Sequence, residues 1–479
     1  MTRAADAAAA APDAAAGPST AVPLAYAPPP AWTTRSLAAA LLRLFGPVLA
    51  ENLLHMGVGL TDVYLAGNLK AHAAAATAAV GVVGYVLWLV GLITGAIGTG
   101  STAIIARAVG ARNRRLANSV CGQSIGAAAL TGAVIAAVFY VAAGPLTRLT
   151  GLSDEAAGYT LYYFRILSLS LPFSMVMLAA GACLRGAGDT LSPAAAMIVV
   201  DVVNMGTSAA LARGWLGLPM MGFRGIAVGT VLAYVVGGVL LFALLLRGRR
   251  SLRLYWHRLR PHWRTLRRVM AVGLPNGIGD TLAWAAQFVI VLFITRLGPD
   301  NVPAAAHILA VRVESLSYLA GYAMAVAAAT MVGQSLGMKD ARRATVCAYL
   351  AFALAAAFMG CMGGVFIAWG RPLAGFFNAD PATVDLAARC LYVTAFAQVG
   401  FAAAMVFSGV LRGAGDTVAL MGLNLASTVC LRFAGVVVAL FVLHLGLVAV
   451  WVVLAGELAV RGALFYGRFL QGKWRHVRV

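Results

Sequence analysis

The sequence predicts an all-α membrane protein: twelve transmembrane helices in two homologous six-helix lobes. Three observations carry that expectation. Apolar stretches run too long for a soluble core, arginines gather in alternate loops, and a seven-residue motif recurs letter for letter halfway along the chain.

Hydrophobic residues make up 61% of the chain and charged residues only 11%, where soluble domains carry about 25% charged. Residues Val80–Ile105, Ala127–Ala143, Gly225–Leu246 and Leu350–Trp369 contain no Asp, Glu, Lys or Arg. Stretches of this length cross the hydrocarbon core as helices, which satisfy every backbone N–H and C=O internally. The alternating ten-residue segments of a membrane β-barrel are absent. Twelve spans are expected, from 37–68 to 445–470.

The formal charge of +20 would suit nucleic-acid binding, but its distribution does not. Basic residues cluster at Arg107–Arg115, 247–268, Lys339–Arg343 and Lys473–Arg478, whereas the alternate loops hold singles such as Lys70, Arg148, Arg213, Arg296 and Arg371. That is the positive-inside asymmetry, and with an even number of spans it places both termini in the cytoplasm of a bacterial inner membrane. The expected domains are a disordered Ala- and Pro-rich tail (1–36), a first lobe (37–246), a basic linker (247–268), a second lobe (269–470) and a basic tail (471–479). The tail has no apolar core of a cleaved signal. The linker holds nine arginines with Trp256 and Trp263 and is expected to lie on the anionic leaflet. Six cysteines in or beside apolar segments, with no CxxC pair, read as small buried hydrophobes.

The motif Leu184-Arg-Gly-Ala-Gly-Asp-Thr190 returns at Leu411–Thr417, 227 positions later. The same offset pairs Pro145-Leu146 with Pro372-Leu373 and Ala108–Arg115 with Ser335–Arg342. Two homologous halves follow. Each has six helices, so both keep one orientation and relate by an axis along the membrane normal, the architecture of alternating-access transport. In the motif itself, glycine permits a tight turn, and Asp189/Thr190 and Asp416/Thr417 can cap the next helix.

Catalytic and energy-coupling motifs fail. Gly467–Lys473 fits GxxxxGK, but Trp474 follows where Ser or Thr is required, and the match ends a membrane helix. There is no HExxH, GxSxG or zinc spacing. No enzyme activity, cofactor or bound metal is expected, and a monomer is.

Ionisable residues inside spans cost about 3 kcal/mol each and persist where paired or useful. Glu51, His55 and Asp62 form a stripe on the first helix, within about 40° of arc and about 16 Å long. Glu51 and His55, one turn apart, can hydrogen-bond directly. On the fifth helix Asp201, Asn204 and Ser208 lie within about 60°. In the second half Asp280, Trp284 and Gln287 share a stripe and are candidate substrate-cavity residues with Glu314. Arg312–Glu314 reads as a structural ion pair or a helix-packing contact. Pro47 removes one backbone hydrogen bond and gives the first helix a place to bend.

Gly46-Pro47 with Leu60–Gly67, the two LRGAGDT segments, and Arg312–Ser317 with Val332–Gly337 together resemble the multidrug and toxic compound extrusion (MATE) family, in its DinF-like bacterial branch. The resemblance covers about residues 37–470. It implies export of small, often cationic or lipophilic compounds in exchange for H⁺ or Na⁺, with Asp62 as the main coupling acid. Thr230 matches the Thr of the family's GAxxAT stretch. With Asp62, Asp201, Asn204 and Ser208 it forms a candidate ion site, open to Na⁺ at Asp62 and Asn204 or to a proton shared between acids. Two positions depart from the family. Ser208 stands where an acid follows Asn204, and Phe401 stands where some members place an acid in the tenth helix, leaving open whether the second lobe binds an ion. Asp201 is expected to supply the missing help, displaced toward the cytoplasm and close to the stripe of Asp62, His55 and Glu51. Two alternatives remain: a lipid-linked precursor flippase, which should have a basic cavity, and a passive channel, which has no need of the ionisable stripe.

Overall fold

The computed structural model describes residues 32–69, 72–150, 152–298 and 300–477. The expected tail up to residue 31, Lys70 and Arg478 lie outside the described residues. The first six helices are α1 (Thr34–Gly67), α2 (Ala73–Gly110), α3 (Arg114–Leu149), α4 in two arms (Asp154–Ser168 and Leu171–Gly186), α5 (Leu191–Arg213) and α6 (Phe223–Arg247). The second six are α7 (Trp263–Ile294), α8 (Val302–Gly337), α9 (Ala341–Phe377), α10 (Pro381–Ala414), α11 (Thr417–Val442) and α12 (Leu447–Leu470). Ten of these are long and apolar enough to cross a membrane singly; the bent α4 makes eleven, and the 38-residue α2 completes the twelve. There is no strand among the described residues.

Helix starts follow their sequence signals. Thr33 and Ser36 form a reciprocal capping box at α1. Asn113, Ser153, Asp340 and Asp380 each accept a first-turn N–H, which satisfies a donor the helix cannot. The arms of α4 meet at 57°, just before Pro172. Two segments of α11, Ser427–Phe433 and Val438–Val442, are wound as π-helix.

Each lobe has its own core, and the first helix of each begins in the other's. Leu37 and Leu41 of α1 pack with Met324, Phe407 and Phe469 of the second lobe, whereas Val58 and Leu65 of the same helix pack in the first. Val269 of α7 returns the exchange by packing in the first lobe. α1 runs unbroken through Pro47, between its two loyalties. Among the cysteines, Cys361 and Cys430 are exposed and only Cys121, Cys183, Cys347 and Cys390 are buried, which corrects the uniform expectation.

The lobes meet where α2 and α8 end. A Cβ on Gly110 would overlap the Gln334 carbonyl, and one on Gly337 would overlap that of Arg107, so the two backbones touch. Both contacts are related by the 227-residue repeat offset. The LRGAGDT turns lie at this end. Gly188 and Gly415 take φ of +83° and +81°, the left-handed turn that the motif's second glycine serves. Asp189 accepts from Ser192 N and Oγ as a cap, but Asp416 does not cap: it binds Arg468 through both oxygens.

Candidate functional site

In the first lobe four helices converge on one carboxylate. Asp62 of α1 is 3% exposed. Its Oδ2 accepts from Tyr163 Oη of α4 (2.6 Å) and Thr230 Oγ1 of α6 (2.7 Å), and its Oδ1 accepts from Asn204 Nδ2 of α5 (3.3 Å). Asn204 also donates to Thr230 Oγ1 (3.0 Å) and approaches Ser208 Oγ (3.4 Å), which itself donates to the Ile226 carbonyl. All three partners of Asp62 are neutral. Asn204 Oδ1 is buried with no hydrogen-bond partner. Gly229 lets α5 and α6 close on one another, since a Cβ there would overlap Ser208 Oγ.

Asp201 faces α1 one turn before Asn204. Its Oδ2 lies 3.3 Å from where a Gly57 Cβ would sit, and its Oδ1 is buried without a partner. It therefore packs on the first helix, but against Gly57 rather than on the stripe of Asp62, His55 and Glu51. The expected Glu51–His55 bond does not form. Glu51 Oε1 accepts from Arg185 Nη1 at 2.5 Å, and its Oε2 is buried and unpartnered. A permanent guanidinium from α4 outcompetes an imidazole one turn away, as charge-assisted bonds do. Below Asp62, His55 faces a chamber of about 160 Å³ that Glu51, Asn52, Arg185, Met177 and Tyr322 also line.

In the second lobe two acids inside spans, Asp280 and Glu457, are held by guanidiniums, as Glu51 is in the first. Asp280 accepts from Arg412 Nη2 (3.2 Å) and Asn276 Nδ2 (2.9 Å). Glu457, 3% exposed, is held by Arg432 Nε and Nη2 (3.0 and 2.7 Å), by Arg461 Nε (2.7 Å) and by Ser427 Oγ. Gln287 accepts from Arg432 Nη1 (3.1 Å), and Trp284 stacks on Phe288 at 5.6 Å. Glu314 accepts from Thr394 Oγ1 (2.6 Å), not from Arg312, which is exposed; the ion pair expected two residues apart does not exist, because neighbours at that spacing point to different faces of a helix. Phe401 is buried against Tyr318, so no acid fills that place in α10.

The arginines of both LRGAGDT segments thus share one role beyond the turn. Arg185 binds Glu51 and Arg412 binds Asp280, in each case an acid on the first helix of its own lobe. Sequence reasoning missed Tyr163 and the Arg432–Glu457–Arg461 cluster. The cluster carries a signal, ionisable residues inside apolar spans, but Tyr163 is a common residue whose hydroxyl role only the fold reveals.

Two six-helix lobes that touch at one end and enclose polar sites in apolar spans define a membrane transporter of the alternating-access class. The MatE family model matches residues 47–209 and 275–454. The chain belongs to this family of secondary active multidrug-extrusion antiporters. It is 28% identical over 436 residues to a probable multidrug resistance protein NorM of Thermotoga maritima, covering 91% of this chain and 92% of that protein. It is 27% identical to the multidrug resistance protein PmpM of Pseudomonas aeruginosa over 79% of this chain and 78% of that one. The fold is similar to the Vibrio cholerae MATE transporter VcmN in its bent form, with a TM-score of 0.82, 20% identity and coverage of 92% and 98%. It is equally similar to a MOP superfamily transporter from Pyrococcus furiosus, at 0.83 and 21%, over 92% of this chain and 97% of that one.

Proposed function

We propose that this chain exports small organic compounds in exchange for H⁺, that Asp62 is the group that carries the proton, and that the end bearing the LRGAGDT turns faces the cytoplasm. The single observation behind the ion assignment is the donor set at Asp62. Tyr163, Thr230 and Asn204 all offer hydrogens to its oxygens, which suits a carboxylate that gains and loses a proton. When Asp62 is protonated it needs an acceptor. The unpartnered Asn204 Oδ1 can supply one if the amide turns over. A Na⁺ would instead require those hydroxyls to turn their oxygens inward around a single carboxylate.

Asp201, His55 and Glu51 extend the site toward the cytoplasm in this reading. The chamber beside His55 supplies room for water, and Tyr234 of α6 lies within electrostatic reach of both Asp62 and Asp201. Protonation at Asp62 then favours one of the two lobe arrangements, and the substrate favours the other. The domain limits follow the same reading, with 247–268 joining the lobes on the cytoplasmic face. Substrate contact is assigned to Gln287, Trp284 and Glu314 of the second lobe, together with Asp280.

Proteoliposomes loaded with a lipophilic cation test this. An imposed pH gradient is expected to drive flux against the substrate gradient, and an imposed Na⁺ gradient at constant pH is not. Flux driven by Na⁺ alone would replace H⁺ as the coupling ion. Flux without either gradient would indicate a passive channel.

A further inference from the structure

We infer that Arg107 and Gln334, residues related by the internal repeat, are positioning residues that hold the two lobes closed at the LRGAGDT end, with Arg107 the stronger of the two. The inference rests on the antiporter reading only in that such a transporter must open and close this end.

Arg107 on α2 and Gln334 on α8 are 227 positions apart, the offset of the LRGAGDT repeat. Each reaches across to a backbone carbonyl of the opposite lobe's LRGAGDT segment. Arg107 Nη2 donates to the Ala414 carbonyl (2.8 Å), and Gln334 Nε2 donates to the Gly186 carbonyl (3.3 Å). The carbonyls of Arg107 and Gln334 themselves are the atoms that Gly337 and Gly110 rest on. The seam therefore has a pseudo-twofold axis, with one repeat-related pair of residues supplying a matched pair of close backbone contacts and a matched pair of side-chain ties.

The axis is broken in one respect. Where the second lobe offers glutamine, the first offers a guanidinium, and its spare arm is used. Arg107 Nη1 donates to the Val477 carbonyl (2.6 Å). That carbonyl is held in place because Trp474, fully buried, stacks on Phe469 and donates to its carbonyl. One first-lobe side chain thus grips both α10 and the C-terminal segment. Among the described residues no acid pairs with Arg107; its charge is met by carbonyl oxygens, and its Nε is buried without a partner. Such a tie is strong enough to hold the seam, yet it has no counter-ion to lock it shut.

The seam is also wired to the coupling site. Thr330, one turn before Gln334, donates to the Arg185 carbonyl (3.1 Å), and the guanidinium of the same Arg185 holds Glu51 on α1, the helix that carries Asp62. A change in α1 can therefore reach the seam through a single residue.

The test is hydrogen–deuterium exchange of the purified full-length protein in lipid nanodiscs, wild type against Arg107→Gln, which makes the two halves of the seam chemically alike. Losing a charge-assisted tie should speed exchange about tenfold in peptides covering 103–111, 330–338 and 411–416. Peptides at the opposite end, 58–67 and 158–166, should slow or stay unchanged, since opening one end closes the other. A chain truncated after His476 keeps Arg107 and removes Val477–Val479, and with them the Val477 carbonyl that Arg107 grips; about a threefold rise in the same three segments is expected. Unchanged exchange at the seam in both variants overturns the inference. So does a rise spread evenly over both ends, which marks general destabilisation. A chain that shows the seam effect but no gradient-driven flux would contradict the antiporter reading and leave this inference standing.

Discussion

Asp62 in the first lobe is bound by two hydroxyls and an amide, while Glu457 in the second is bound by two guanidiniums. Both carboxylates are 3% exposed, on helices of the same fold. The difference lies in what happens when a proton arrives. Neutral donors can rotate or turn over to serve either protonation state. Two guanidiniums cannot: a protonated Glu457 would strand two charges in the protein interior, at a cost of several kcal/mol. The Asp62 site is thereby fit to exchange protons, whereas carboxylates held by guanidiniums, Glu457 in the second lobe and Glu51 in the first, keep their charge fixed. Asp280 repeats the second pattern through Arg412, and Phe401 removes a further acid from that lobe. The two halves arose from one sequence pattern and have parted in chemistry while keeping the LRGAGDT turn.

The sharpest way to break this comparison is at Glu457. Glu457→Ala leaves Arg432 and Arg461 without their shared anion, and thermal unfolding should show a loss of about 3–5 kcal/mol. A stability change under about 1 kcal/mol would mean that the cluster is solvated and that the lobes do not differ as described. A smaller effect is expected at Tyr163→Phe, which removes one of three donors to Asp62 and leaves the ring packing intact. Coupled transport should fall about tenfold, consistent with about 1–3 kcal/mol for a hydrogen bond to a charged group, with little change in the melting temperature. Transport at the wild-type rate would remove Tyr163 from the site. Smaller still is Ser208→Ala. Ser208 touches Asn204 and a backbone carbonyl but not Asp62, so the loss should be about 1 kcal/mol in stability, with coupling retained. Loss of coupling in that variant would show that Ser208 replaces the family's second acid in function as well as in place.

The fold was legible because lipid imposes a simple rule on composition, and because the repeat survives letter for letter. Asp62 and Asn204 were legible because polar residues in apolar helices stand out, whereas Thr230 and the grouping of the three came from the resemblance to the family. Contacts between helices were not legible. Glu51 has a neighbour at the right spacing in His55, yet its partner Arg185 lies 134 positions away. Arg432, Glu457 and Arg461 sit on two helices whose relative rotation no spacing reveals. The first turns of α1, assigned by order to the first lobe, pack in the second through Leu37 and Leu41, because the swap is a property of the assembled lobes.

The central claim is that coupling resides in the first lobe. Proton movement accompanying substrate counterflow in proteoliposomes, read with a pH-sensitive dye trapped inside, tests it most directly when Asp62→Asn and Asp280→Asn are compared side by side. Both variants keep the shape of the side chain they replace. The account predicts that Asp62→Asn abolishes substrate-dependent proton flux while the protein still inserts and folds, and that Asp280→Asn, a change at a substrate contact, lowers substrate and proton movement in step and keeps the number of protons moved per substrate. Proton flux that survives in Asp62→Asn and disappears in Asp280→Asn would contradict the account.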